Sequence, residues 1–190
     1  AQQADRVQVF DKYNYTLLAE VAVSGSPRGM ALSGDGRWLY VSHFDSGIIS
    51  KIETSTFTVV TEISLGSRAG LVQSITLDSA AQLAYVPNTI RNTDNTSLEF
   101  DTSVFPFVSV IDLKGDLHLR RQRVALDIID KPVGLPLESL LSGEDLYVVN
   151  AASNDLSVIN VANSQLRAHI EVGGFPVGIA QGLDGGFIYI

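Results

Sequence analysis

His43 and Asp45, two residues apart, are the one pair in this 190-residue chain whose types and spacing suggest proton transfer. The other histidines, His118 and His169, stand far apart in sequence, and no two histidines have the spacing of metal ligands. The chain has no cysteine, which excludes disulfides, thiolate metal sites and covalent haem attachment through a CxxCH motif within this segment. It also lacks an HExxH helix, a GxSxG elbow and a glycine-rich phosphate cradle before a helix. No constellation of nucleophile, base and orienting group stands out, so the chain reads as a binding protein more than as an enzyme. A second chemistry is suggested by oxygen donors: Asp94, Asn95, Glu99 and Asp101 are carboxylates and an amide of the kind that hold Ca²⁺. Their spacing fits no defined calcium loop, which favours solvated polar residues.

The elements that must position these residues are set by a repeat. Tyr40-Val41-Ser42, Tyr85-Val86-Pro87-Asn88 and Tyr147-Val148-Val149-Asn150 align, and Phe187-Ile188-Tyr189-Ile190 begins a fourth copy, with tyrosines spaced by 45, 62 and 42 residues. Pro27-Arg28-Gly29, Pro132-Val133-Gly134 and Pro176-Val177-Gly178 precede three of the copies, and Arg68-Ala69-Gly70 fills the slot in the other. Ile49-Ser50-Lys51-Ile52-Glu53, Val108-Ser109-Val110-Ile111-Asp112 and Leu156-Ser157-Val158-Ile159-Asn160 follow the completed copies; Val7-Gln8-Val9-Phe10-Asp11 belongs to the same set. Short β-branched and aromatic runs separated by Gly, Asp and Ser turns predict four strands per unit: 29–32, 37–42, 48–53 and 57–65 in the first whole unit.

Four short antiparallel strands per unit, recurring in fixed order, predict an all-β fold: a β-propeller of four-stranded blades, about four blades' worth. The chain opens on the last two strands of a blade (6–23), continues through three whole blades starting near Gly29, Leu71 and Val133, and closes on the first two strands of another (177–190). Strand edges left open invite aggregation, so they must be covered. Three arrangements would do so: continuation into a longer, roughly seven-bladed protein, closure as a four-bladed ring, or a homodimer in which each copy completes the other's half-blade.

The ordered Tyr-Val-x-Asn, Pro-x-Gly and Val-x-Val-Ile-Asp markers resemble the YVTN-repeat β-propeller family over essentially the whole chain. That resemblance implies a secreted, periplasmic or surface-associated protein of bacteria or archaea. Some such proteins are coupled to haem or quinone redox enzymes, which would put any haem or quinone in a partner or a continuation of the chain rather than in this segment. The resemblance therefore carries three functional expectations. The first is a non-catalytic binding or scaffold module of the bacterial envelope or exterior. The second is a propeller module of a redox enzyme, and the third is a surface-layer or adhesion module.

The wide spacing between Tyr85 and Tyr147 localises to 88–106, rich in Asn, Thr, Ser and Asp, which predicts an inserted loop within the second whole blade. In a propeller this loop overhangs the face bearing the Pro-x-Gly loops, where ligands gather near the central channel. Arg28, His43, Asp45, Arg68, Lys131, Asn150 and Asn154 fall on that face. Asn88 and Asn150 follow the repeat and suit loop capping, whereas Arg28, Arg68 and Lys131 depart from it and suit an anionic ligand or protein partner. Phe100, Phe105 and Phe107 would pin the loop.

Composition narrows the partners. A net charge of −8 argues against a nucleic-acid backbone. Although 45% of residues are hydrophobic, they fall in short runs, none near the ~18–20 residues of a membrane helix. The start Ala1-Gln2-Gln3-Ala4-Asp5 suits a mature N-terminus after signal cleavage. Asn14-Tyr15-Thr16 and Asn95-Thr96-Ser97 are glycosylation sequons that matter only in a eukaryotic secretory setting.

Overall fold

Strand 48–53 forms where the sequence predicts it, and its neighbours differ by one or two residues. A computed structural model describes residues 5–92 and 103–190, and is all-β with antiparallel pairing throughout. β1 (Arg6–Phe10) pairs with β2 (Leu17–Ala22). β3 (Pro27–Leu32), β4 (Trp38–His43), β5 (Ile48–Glu53) and β6 (Thr58–Ser64) form a sheet in chain order. The next sheet has six strands: β7 (Ala69–Gly70), β8 (Thr76–Asp78), β9 (Leu83–Arg91), β10 (Val104–Asp112), β11 (Leu117–His118) and β12 (Val124–Ala125). One turn of helix, α1 (Leu126–Ile129), leads to β13 (Pro136–Ser142), β14 (Asp145–Asn150), β15 (Asp155–Asn160) and β16 (Gln165–Glu171), again a sheet in chain order. β17 (Ala180–Gln181) and β18 (Ile188–Tyr189) close the series as a pair. No helix among the described residues is long and apolar enough to cross a membrane.

The six-stranded sheet is a four-stranded unit whose outer members are interrupted. β7 and β8 both pair with β9, and β11 and β12 both pair with β10. The central hairpin also differs from the loop expected over 88–106. β9 runs on through Arg91 and β10 starts at Val104, with Ile90 opposite Phe105 and Asn88 opposite Phe107. The Ca²⁺ candidates Asp94, Asn95, Glu99 and Asp101 lie outside the described residues, as does Phe100.

In three units the residue that closes the third strand caps the following turn through its side chain, whereas within its turn the Glu53 carboxylate accepts from the Thr56 hydroxyl. Asp11 Oδ1 accepts from the Tyr13 and Asn14 amides, Asp112 Oδ1 from the Lys114 amide, and Asn160 Oδ1 from the Ala162 and Asn163 amides. Such side-chain caps are why Asp and Asn recur there. Four residues after the third-strand end, Tyr15, Phe57, Asp116 and Ser164 each take positive φ, between 52 and 61°, completing the same tight reversal.

Alternation along each strand sends one face to the preceding sheet and one to the following sheet. Val7, Val21, Val41 and Ile52 pack between β1–β2 and the first four-stranded sheet. Tyr40, Ile49, Val86 and Ile111 belong to the next cluster, Tyr85, Val108, Leu146 and Val148 to the third, and Val149, Leu156 and Val158 to the fourth. First strands of successive sheets also touch. A methyl at Gly29 would collide with the Gln73 carbonyl oxygen and lie 2.9 Å from Ser74 Cα, so the glycine of Pro27-Arg28-Gly29 lets the two segments meet. Ser74 Oγ donates to the Leu137 carbonyl (2.8 Å), Thr76 Oγ1 to the Ser139 carbonyl (2.8 Å), and Gln181 Nε2 to Ser142 Oγ (2.6 Å).

Candidate functional site at the leading ends of the sheets

Each whole unit carries a polar row across its second, third and fourth strands, on the face turned to the preceding sheet. In the first four-stranded sheet the row is His43, Ser50 and Glu62, with Ser50 opposite Glu62. His43 is fully buried. Its Nδ1 donates to the Gly25 carbonyl (3.2 Å), which leaves Nε2 to accept the Ser50 hydroxyl proton (2.8 Å). Glu62 Oε1 lies 3.3 Å from the same hydroxyl and accepts from Ser24 Oγ at 2.6 Å. Burial holds the His43 pKa below the ordinary histidine value, against the Gly25 carbonyl and the Glu62 charge, which pull it up. The neutral ring is thus a structural member of the row.

The second four-stranded sheet repeats the row with different chemistry. Asn150, also fully buried, donates through Nδ2 to Asp155 Oδ1 (2.7 Å) and Ser157 Oγ (2.9 Å). Ser157 passes its own proton to Asp130 Oδ2 (2.6 Å), and the other oxygen of Asp130 accepts from His169 Nδ1 (2.9 Å). The Asp130 side chain is 1% exposed, and its oxygens are held by a hydroxyl, an imidazole and the Lys131 amide (2.7 Å). In the six-stranded sheet the matching residues are Asn88 and Ser109. Both are buried, and the Asn88 amide atoms and Ser109 Oγ have no hydrogen-bond partner.

These rows correct two of the sequence expectations. His43 and Asn150, expected on the exposed loop face, are fully buried, His43 bonded to the Gly25 carbonyl and Ser50, and Asn150 to Asp155 and Ser157. Asp45 does not pair with His43 either, since its Oδ2 accepts from Ser26 Oγ (2.6 Å). The three cations stay exposed, each at the leading end of its own sheet but in a separate concavity. The Arg28 guanidinium lies 5.0 Å from the Phe44 ring centre and borders a cavity with Val7, Phe10 and Met30. Lys131 Nζ is 3.9 Å from Glu171 and borders a polar cavity with Ser153, Asn154 and His169. Asn154 Oδ1 accepts from the Phe175 amide (2.6 Å), which makes it a loop cap.

Arg68 lines a cavity of about 210 Å³ together with Ser67, Ala69, Ile90, Arg120 and Arg123. The sequence reading passed over Arg120 and Arg123, although the run Arg120-Arg121-Gln122-Arg123 in an acidic chain was a visible signal. His118 is buried, with neither ring nitrogen hydrogen-bonded. Burial, then the charges of Arg120 and Arg123, hold its pKa down. Among the described residues there is no group of three or more His, Asp or Glu side chains arranged to hold a metal ion.

No protein-family model matches the sequence, and no curated protein matches it. Among solved structures, a protein of unknown function from Bacteroides caccae aligns with 95% of this chain at a TM-score of 0.65 and 14% identity. This chain spans 59% of that protein's length. Hydrazine synthase from Kuenenia stuttgartiensis aligns over 99% of this chain and 86% of its own at 15% identity, with a TM-score of 0.43, too low to carry an argument. The first likeness shows a shared fold and says nothing of activity.

Proposed function

We propose that the chain is part of a β-propeller of the YVTN-repeat kind, with four strands to a blade. In this reading it is a non-catalytic binding or scaffold module of a bacterial envelope or extracellular protein. The radial reading draws on the chain-ordered sheets and on the first strands that meet in succession from Gly29 through Ser74 and Thr76 to Ser139 and Ser142.

The observation that carries the binding reading is how the polar groups divide. The histidine suited to proton transfer, His43, is fully buried and bonded to the buried Ser50. The charges that depart from the repeat, Arg28, Arg68 and Lys131, stand exposed at the leading ends of three successive sheets. Three cations in three separate concavities favour an extended acidic protein partner lying across the sheet ends over one small molecule. Fluorescence anisotropy with labelled poly-L-glutamate tests this. The variant with Arg28→Ala, Arg68→Ala and Lys131→Ala should bind at least tenfold more weakly while keeping its β-sheet circular dichroism. Equal affinity for the two proteins retires the reading.

A further inference from the structure

The second four-stranded sheet contains a carboxylate site that the six-stranded sheet reproduces with the carboxylate left out. In the former, Asp130 lies two residues before Pro132, at the slot that opens the unit. Its oxygens are held by Ser157, which Asn150 braces, and by His169, which stands directly opposite Ser157 in the strand register. In the six-stranded sheet Ser109 and Asn88 take the places of Ser157 and Asn150. The pairs Val108–Val124 on one side and Ile111–His118 on the other leave Ser109 facing the break in the outer strand, which Arg120 and Arg123 flank where the other sheet has His169. The slot that opens the unit holds Gly66, two residues before Arg68, in place of Asp130. Hydroxyl and amide are therefore retained, guanidinium groups stand in place of the imidazole, and Gly66 brings no acid to them.

Two further observations point to a ligand. The Asn88 amide nitrogen and oxygen and the Ser109 hydroxyl are buried without partners, an arrangement that is unfavourable when nothing is bound. On the same face of the same sheet, the cavity of about 210 Å³ is lined by three guanidinium-bearing residues, Arg68, Arg120 and Arg123. Arg123 rests on the Phe107 ring, 4.6 Å from its centre, and no ion pair joins Arg120 or Arg123 to any described carboxylate. Guanidinium forks match the two oxygens of a carboxylate, and a cavity below the roughly 300–1,000 Å³ of drug-sized pockets limits the ligand to a molecule of few heavy atoms.

We propose that the cleft between the first four-stranded sheet and the six-stranded sheet binds the carboxylate of a small acidic molecule. Ser109 and Asn88 supply the donors behind it, and Arg123 with Arg120 supplies the charge. The site deepens the binding-module reading at Arg68, and rests on that reading only there.

Titration of the ¹⁵N-labelled chain with sodium succinate, and in parallel with inorganic phosphate, tests the proposal through the Asn88 side-chain amide signal. Succinate should shift it saturably with one equivalent per chain. Arg123→Gln and Ser109→Ala should each weaken binding at least tenfold with circular dichroism unchanged. Arg121→Gln should stay within twofold, because Arg121 lines a different cavity with Tyr85 and Leu146. Absence of a saturable shift overturns the proposal, as does an equal loss in Arg121→Gln, which would mean unspecific charge attraction. Tighter binding of phosphate than of succinate overturns the carboxylate assignment. The double variant Arg28→Ala with Lys131→Ala should leave succinate affinity unchanged while weakening poly-L-glutamate, so the two readings can fail separately.

Discussion

Lys51 holds its ammonium 2.7 and 3.0 Å from the two carboxylate oxygens of Asp116, 65 residues further along the chain, and 4.4 Å from the Trp38 ring centre. The lysine side chain is 8% exposed and the aspartate 29%, so the pair bridges two sheets with the cation inside and the anion at the rim. The same carboxylate adds to the effect of burial in pushing the Tyr40 hydroxyl up to about 12.

The pair is asymmetric, and so are its variants. Asp116→Asn keeps a side chain tolerant of the positive φ at that turn but strands a buried ammonium. It should cost roughly 2–4 kcal/mol, read as a lower urea midpoint at unchanged slope. Lys51→Met leaves only a partly solvated carboxylate and should cost less than about 1 kcal/mol. Equal costs for the two variants would contradict this account.

Acid should weaken the fold near the ordinary histidine value of 6.5. Burial lowers the pKa of both His43 and His118, so below 6.5 the unfolded chain binds more protons than the folded one. Their contribution is intact above 6.5 and is lost as the pH falls from there through the folded values. Urea midpoints measured from pH 7.5 to pH 5 should therefore decline. His43→Asn, which installs the residue found at the matching positions Asn88 and Asn150, should stay folded and flatten part of the decline.

Two serines at equivalent positions should respond oppositely to loss of the hydroxyl. Ser157→Ala removes a donor to the buried Asp130 carboxylate and an acceptor from Asn150, which should cost about 1–3 kcal/mol. Ser109→Ala deletes a buried hydroxyl with no partner, and its thermal midpoint in ligand-free buffer should match or exceed that of the parent. A large loss at Ser109 would show that its hydroxyl is bonded after all.

Gly47 and Gly143 separate backbone strain from close approach. Both have φ near +60°, but a methyl at Gly47 would lie 2.7 Å from Ala69 Cβ and 2.8 Å from its carbonyl oxygen, whereas one at Gly143 meets nothing within 4 Å. Gly143→Ala should cost about 1 kcal/mol from conformation alone. Gly47→Ala should cost about 1–3 kcal/mol beyond that by forcing the two sheets apart, checked by chemical denaturation of both variants.

The units were legible because their signals are local. Val-x-Val-Ile followed by Asp or Asn encodes a buried third strand and its capped turn in five residues, and the structure uses it that way at Asp112 and Asn160, with Asp11 capping the turn after a more exposed strand. The direction of His43 and Asn150 was less legible. A polar residue closing an apolar strand reads as a loop residue, and only its partners in other segments, the Gly25 carbonyl for His43 and Asp155 and Ser157 for Asn150, hold it inward. The interruption of the six-stranded sheet had a composition cue in Arg120 to Arg123. Four polar residues where the other units keep a continuous fourth strand cannot all alternate into a sheet.

Among the described residues the apolar interior falls into four packets, three of them enclosed by two adjacent sheets and none shared with a third. Cohesion in such a molecule is a sequence of couplings between neighbours, not a property of one centre. A cavity cut at Val148 loosens the grip of the second four-stranded sheet on the six-stranded one and leaves the packet around Val41 and Ile52 untouched. Damage is thereby confined, and so is strengthening: gains accumulate one junction at a time, and the weakest junction decides where the molecule first opens.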